Sequence, residues 1–319
     1  MKAIVFKEYG SSKVLELVER PMPKPAKEEV VVRVMAAGVN PADWRLRNGQ
    51  FKRAFKLELP FTPGSDLSGV VVEVGASVTA FRNGDRVFAM SALKKAGAYA
   101  EFVAVNEAHV APLPDSLTFV EGAAIPLAGL TALQGLRDQG AIEPGQAVLI
   151  NGGSGGVGSF AVQIANAIGA KVTAICSGPN IPFVKSLGAD EVLDYTTINV
   201  FAGPGRYDVI FDTMALVGFR SWRKPLKNDG TLVTVNPIIG KLLPRFVTRL
   251  FGINRLRSFF VEPSGLDLNV LADYAIEKTV LPRVERTFRL EEAGLAQDLS
   301  ENGRVRGKLV LTLDQSLSC

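Results

Sequence analysis

The chain has 319 residues, 47% of them hydrophobic and 21% charged, enough to bury a large core and to form two domains. Its net charge of +4 comes without an aromatic-studded basic run or a known binding motif, which argues against a nucleic-acid partner. Two cysteines, Cys176 and Cys319, and one histidine, His109, cannot build a disulfide framework or a His/Cys zinc cluster.

Met1 runs directly into the strand-like Lys2–Phe6 without the pattern of a secretory signal, and no stretch has the length and apolarity of a membrane span. A reducing, cytoplasmic compartment is therefore expected. Short β-like runs follow at Val14–Val18, Val30–Met35, Val70–Val74, Arg86–Ala89 and Tyr99–Val105, separated by Gly, Pro and Asn83-Gly84 turns. This spacing predicts a β-barrel or sandwich over residues 1–120. His109, in an apolar context before Ala111-Pro112, reads as a structural histidine.

From Glu121 the pattern changes to helices alternating with buried strands at Val148–Asn151, Val172–Cys176, Glu191–Asp194, Tyr207–Asp212 and Thr231–Asn236. That alternation is the order of a doubly wound parallel sheet, placed over residues 121–265. Asp229-Gly230 reads as the end of the helix before the last strand. Beyond Leu281 the chain returns to short strands, Arg283–Phe288 and Gly307–Leu313, around a helix near Glu291–Ser300. Residues 266–319 are assigned back to the first domain.

The densest signal is the run Asn151-Gly-Gly-Ser-Gly-Gly-Val-Gly158 between the first of these strands and a helix. Gly153, Gly155 and Gly158 have the G-x-G-x-x-G spacing of a dinucleotide-binding turn, with Ser154, Gly156 and Val157 between them. In that motif the glycines permit a tight turn, backbone approach to a pyrophosphate and close helix packing, while the free N–H groups at the helix start hold the phosphates. Phe160, Ala161, Ile164, Ala165 and Ile168 continue at helical spacing, and Gly169 can cap the end. NAD enzymes usually carry an acid about 20 residues past such a turn. Here the second strand ends in Cys176-Ser177, and no acid occurs between Gly158 and Ala189. Ser177 and Asn180 can donate to a 2′-phosphate, so NADPH is the expected cofactor. Cys176 has no evident activating base and reads as a buried structural thiol.

Several stretches together carry a family resemblance over nearly the whole chain. They are Gly38-Val-Asn-Pro-Ala-Asp43, Pro63-Gly-Ser-Asp-Leu-Ser-Gly69, Asn83-Gly-Asp-Arg-Val87, Gly97-Ala-Tyr-Ala-Glu101, Gly129-Leu-Thr-Ala-Leu133, the glycine turn, Leu187-Gly-Ala-Asp190 and Gly307-Lys308. The sequence resembles the zinc-free medium-chain dehydrogenases/reductases of quinone oxidoreductase type. Ser186–Tyr195 and Ser258–Val261 resemble a chloroplast-envelope branch and a mitochondrial, reticulon-interacting branch of that family. The resemblance implies an α/β protein with a GroES-like β-barrel substrate domain, an inserted Rossmann domain, and a cleft between them. It also implies that Asn40 and Ser65 stand where zinc-dependent relatives carry a cysteine and a histidine, so no metal is expected.

Without a Lewis acid, the favoured acceptors are quinones and α,β-unsaturated carbonyls, with positioning as the main catalytic device. Asn40 and Asp43 belong to the loop that the family places at the nicotinamide end. Asn40 is a candidate to bind the cofactor ribose or the substrate oxygen, and Asp43 to orient it, although turn geometry alone also explains both. The resemblance adds Thr131, Tyr195, Val235, Phe260 and Lys308 to the cofactor contacts, and a helix-start hydroxyl explains Thr131 nearly as well. Tyr99 reads as a packed tyrosine.

One segment departs from an ordinary Rossmann domain. After Asn236-Pro237, Lys241, Arg245 and Arg249 repeat at i, i+4 and i+8 opposite an apolar face, predicting a basic amphipathic helix over 241–251. An anionic membrane surface, a homodimer contact, or packing over the substrate cleft would each account for it. Two non-enzymatic readings stay open alongside the oxidoreductase: an NADPH-binding sensor and a membrane-surface partner protein.

Overall fold

The structure is a computed structural model, and it describes residues 1–52, 56–235 and 256–313. The basic segment 241–251 and Cys319 lie outside the described residues. The chain divides into two compact units: Met1–Leu130 with Glu262–Lys278 and Pro282 onward, and Thr131–Val261 with Thr279–Leu281.

The strands in chain order are β1 Lys2–Val5, β2 Glu16–Glu19, β3 Glu29–Val39, β4 Asp66–Val74, β5 Arg86–Met90, β6 Phe102–Asn106 and β7 Val110–Pro112. They continue as β8 Ala147–Asn151, β9 Lys171–Cys176, β10 Glu191–Asp194, β11 Tyr207–Asp212, β12 Leu226–Thr234, β13 Leu256–Ser258, β14 Val284–Arg289 and β15 Lys308–Thr312. The helices are α1 Pro41–Arg47, α2 Phe119–Ala124, α3 Pro126–Gln134, α4 Gly156–Ile168, α5 Ile181–Ser186, α6 Phe219–Trp222, α7 Gly265–Ile276 and α8 Ala293–Glu301.

The first unit is built on a seven-stranded sheet in the order β14-β15-β3-β4-β5-β7, with β6 also paired to β3. The eleven-residue β3 is its axis, because Val30, Val31 and Val32 are wholly buried and its length lets β15, β4 and β6 all pair with it. The core between its faces gathers Val30, Val32, Leu67, Val87, Tyr99 and Leu309. Those registers matter for the site. Leu309 pairs with Val39, and Gly38 with Asp66, so the end of β3 and the starts of β4 and β15 lie side by side.

The second unit is a six-stranded sheet in the order β10-β9-β8-β11-β12-β13, parallel throughout. Counted from β8, this is the 3-2-1-4-5-6 order of a Rossmann fold. The central β8 is an apolar run buried on both faces, with Val148, Leu149 and Ile150 having no exposed surface. Gly169 ends α4 in the left-handed conformation at φ +88°, receiving the C-terminal turn as the sequence suggested.

Some local expectations are corrected. Val14–Val18 is not one strand: a 3-10 turn covers Ser12–Val14, and β2 begins at Glu16. Tyr99 lies before β6 and bonds through its carbonyl to the Ile4 N–H at 2.8 Å. Asp229-Gly230 does not end a helix but lies inside β12, where the register with β11 shifts between Tyr207 and Val209. A side chain at Gly230 would come within 2.9 Å of the Asp208 carbonyl, so the glycine serves close strand approach at this irregularity. Residues 41–47, read as loop, form α1, and Thr131 sits in the body of α3 rather than at its start. His109 is half-buried in a 3-10 turn, Glu107–His109, where burial followed by the Lys95 charge holds its pKa below the ordinary value.

Candidate functional site

In the second unit, the turn after β8 has the geometry of a phosphate cradle. Gly155 is the N-cap of the 13-residue α4 and offers no side chain to its amides; the first helical bond shown runs from the Ser159 N–H to the Gly155 carbonyl at 2.9 Å. The N–H groups of Gly156, Val157 and Gly158 therefore have no acceptor within the helix, at its positive dipole end. Two glycines fix the backbone. Gly152 takes φ +84°, so the tight turn falls on it rather than on Gly153. A Cβ on Gly158 would stand 2.0 Å from the Gly152 carbonyl oxygen, which only glycine avoids, whereas a Cβ on Gly155 would meet nothing nearer than 3.5 Å. The empty space beside Gly155 is where a pyrophosphate can approach.

The turn is tied down from the neighbouring strand. Asn151 donates its side-chain amide to Asp212 at 2.8 Å, and the Thr213 hydroxyl donates to the Asn151 carbonyl at 2.6 Å. Beside the turn, the Asn180 amide donates to the Ser177 hydroxyl at 3.1 Å and to the Ser154 hydroxyl at 3.4 Å. Three of the sequence candidates thus form one polar cluster at the ends of β8 and β9. Tyr195, Val235 and Phe260 follow β10, β12 and β13, so every strand end on this edge of the sheet except that of β11 carries a candidate. Tyr195 is 59% exposed.

The fold adds an acid that counting along the chain passes over. Asp194 pairs with Cys176 across β10 and β9, and its carboxylate would lie 2.7 Å from a Cβ placed on Gly178. Hydrogen bonds from the Thr196 hydroxyl and N–H, and from the Gly178 N–H, hold its pKa below the ordinary carboxylate value. A charge therefore stands one strand away from Ser177, so the absence of an acid after β9 is not an absence of acid near it. Cys176 is buried, and burial followed by the Asp194 charge pushes its thiol up to about 11.

In the first unit, the strand ends bring Asn40, Asp66 and Lys308 together. Asn40 follows β3, while Asp66 and Lys308 begin β4 and β15. The Lys308 ammonium donates to the Asn40 Oδ1, to the Val39 carbonyl at 3.3 Å and to the Asp66 Oδ2 at 3.4 Å. Its three protons are thereby matched by three acceptors. Asn40 returns the arrangement by donating Nδ2 to Asp66 Oδ2 at 2.9 Å, and the other Asp66 oxygen accepts the Leu127 N–H near the start of α3 at 2.8 Å. Asn40 is 1% exposed and Lys308 3%, so both candidates are held inside this network rather than presented at a surface.

Asp43 is joined to it through the start of α1. Its Oδ2 accepts the Asn40 backbone N–H at 2.8 Å and the Tyr99 hydroxyl at 3.0 Å, while Oδ1 is buried without a partner. Burial, and then the Asp66 charge, push its pKa up to about 7 against the opposing pull of the Asn40 N–H, the Tyr99 hydroxyl and Lys308. Tyr99, read from the sequence as packing, is wholly buried in the core and also bonds Asp43 through its hydroxyl; burial and then the Asp43 charge raise its pKa. Arg47, at the end of α1, is 1% exposed and donates to Glu301 and Gln297 of α8 at 2.8 Å each, fixing the helix that carries Asp43.

The donor chemistry separates the two groups that the fold family brings to mind. The free amides of α4, the open approach at Gly155 and the hydroxyls at the end of β9 fit a dinucleotide. Zinc does not fit the first unit. Among the described residues no three His, Cys, Asp or Glu side chains gather to hold a metal, and where Asn40 meets Asp66, a lysine ammonium supplies the positive charge.

Residues 26–115 match the alcohol dehydrogenase GroES-like domain family, and residues 187–311 the zinc-binding dehydrogenase family. A chloroplast envelope quinone oxidoreductase homolog of Arabidopsis thaliana is 32% identical, with 98% of each chain covered. An NADPH-dependent alkenal/one oxidoreductase of the same plant is 38% identical over 79% of this chain and 67% of its own. Among solved structures, a quinone oxidoreductase from Coxiella burnetii superposes with a TM-score of 0.89 at 33% identity, covering 98% of this chain and 99% of that one.

Proposed function

Since the chain belongs to the medium-chain dehydrogenase/reductase family, quinone oxidoreductase type, we propose that it reduces quinones or α,β-unsaturated carbonyls with NADPH and without zinc. The observation that carries this reading is the cradle at the start of α4, whose amides are unspent and whose central glycine leaves room for a pyrophosphate. Gly153, Ser154, Gly155, Gly156, Val157 and Gly158 hold the phosphates there. Ser177 and Asn180 hold the adenosine end, with Tyr195 over it, and Val235, Phe260 and Thr131 complete the cofactor contacts. NADPH, when bound, supplies a hydride.

The first unit contributes positioning and charge. Lys308, Asn40 and Asp66 form a neutralised, fully bonded frame that fixes the end of β3, and Asp43 takes up a proton as pH falls through about 7. In this reading Asn40 and Lys308 act through the frame, and the frame needs no metal because Lys308 already supplies its cation. Among the described residues no helix is long and apolar enough to cross a membrane.

The test is NADPH oxidation by purified protein against a panel of quinones and enones, before and after exhaustive chelation. The expected result is turnover of at least one acceptor at a rate that chelation leaves unchanged. Activity lost on chelation and restored by zinc would overturn the zinc-independent part; no turnover of any acceptor would overturn the reductase.

A further inference from the structure

The first unit carries a second concavity, distinct from both sites above. It encloses about 770 Å³, within the range of small-molecule sites, and none of Asn40, Asp43, Asp66 or Lys308 lines it. Beside Met1, three segments distant in sequence build it: residues 20–23 after β2, 56–62 before β4, and 94–104, which follow β5 and run into β6.

Its charges are one-sided. Arg20, Lys56, Lys94 and Lys95 line it against a single acid, Glu58. Lys95 also pairs with Glu29 outside the groove at 3.0 Å, whereas among the described residues Arg20 and Lys56 stand in no ion pair. Arg20 is held within the groove, since its guanidinium donates to the hydroxyl of another lining residue, Thr62, at 3.2 Å. That bond uses one of five N–H groups. Apolar side chains share the lining, among them Phe61, which is buried, Phe102, and Met22, which is exposed at 47%.

Gathering like charges from three segments costs self-repulsion, and a concave wall of one sign focuses its field on whatever enters. Apolar side chains beside cationic ones select an apolar body with an anionic head. We propose that this groove binds a small amphiphilic anion, its phosphate or carboxylate held by Arg20 and Lys56 and its alkyl part lying on Phe61 and Phe102. The site is independent of the reductase reading, since its residues belong to neither the cofactor cradle nor the Asn40 frame.

The test is calorimetric titration of the purified chain, without nucleotide, with octyl phosphate, inorganic phosphate and octanol, each below any micellar threshold. Octyl phosphate should bind at least ten-fold more tightly than either of the other two, because they lack the tail or the charge. R20Q with K56Q should weaken octyl phosphate binding about ten-fold or more, and Glu58→Lys should strengthen it. Added salt should weaken it in the wild type as the Debye length contracts from about 10 Å at 0.1 M to about 3 Å at 1 M. NADPH affinity should not change in any of these variants, which separates this site from the cradle. The proposal is overturned if octyl phosphate produces no binding, if octanol binds as tightly, or if neither the double variant nor Glu58→Lys alters the affinity.

Discussion

Asp43→Asn tests whether the buried acid beside Tyr99 is neutral in the folded protein. An unfolded aspartate ionises near 3.8, whereas Asp43 in its wholly buried place ionises near 7. Between those values the unfolded chain has released a proton that the folded chain keeps. The unfolded state is then favoured progressively, by about 1.4 kcal/mol per pH unit. The contribution is therefore greatest below pH 4, declines as pH rises through neutrality, and is flat above it, a total of about 4 kcal/mol. Asn cannot ionise, so the variant should lack this decline. Other groups slope the opposite way: His109, with its pKa lowered by burial, loses stability as pH falls through its ordinary range, and Glu29 and Asp208 do so at lower pH. Only the difference between wild type and variant isolates Asp43. Urea unfolding at half-unit steps from pH 5 to 8 measures it. The variant should gain about 3 kcal/mol relative to wild type between pH 5 and 7.5. A difference independent of pH would refute the neutral acid.

Gly155→Ala and Gly158→Ala form a matched pair: the first adds a Cβ with 3.5 Å of clearance and should keep its melting temperature while losing NADPH affinity ten-fold or more. The second drives a Cβ to 2.0 Å from the Gly152 oxygen and should cost about 1–3 kcal/mol of stability as well. Ser177→Asp should depress NADPH affinity far more than NADH affinity, and Asp194→Asn should raise NADPH affinity several-fold; fluorescence titration of both nucleotides reads each, and an unchanged NADPH/NADH ratio in both would remove the argument for NADPH. Lys308→Met leaves Asp66 buried without its cation and should destabilise the chain by about 3–5 kcal/mol in denaturant unfolding, whereas a change under 1 kcal/mol would show that the frame does not depend on the pair.

The second unit was largely legible because its signals are local. The glycine spacing, the buried apolar strands and the Gly169 cap are each set by residues a few positions apart, and they reappear as β8, α4 and β9. What escaped was set by register. Gly230 looked like a helix stop because Asp-Gly is a turn signal, yet a strand irregularity uses the same lack of a side chain. Asp194 lies 17 positions past Ser177 and becomes its neighbour only through the pairing of β10 with β9. Asn40 and Asp43 were singled out, but as loop residues, because the Asn-Pro start of α1 resembles a turn until the helix after it forms. The sequence reads Lys308 as a cofactor contact, and only the pairing of β15 with β3 shows that its ammonium also meets Asn40, Asp66 and the Val39 carbonyl. Tyr99 reads as packing because nothing in the sequence distinguishes a packed tyrosine from one bonded to an acid 56 residues earlier.

The most direct test of the reductase is to follow the hydride itself. NADPH deuterated at the reactive face of the nicotinamide would be supplied with an α,β-unsaturated ketone, and the product analysed by mass spectrometry with the position of the label assigned by NMR. The account predicts one deuterium on the β-carbon of the saturated ketone, in the chelated enzyme as in the untreated one. Product without deuterium, or nucleotide that binds and is never oxidised, would contradict it.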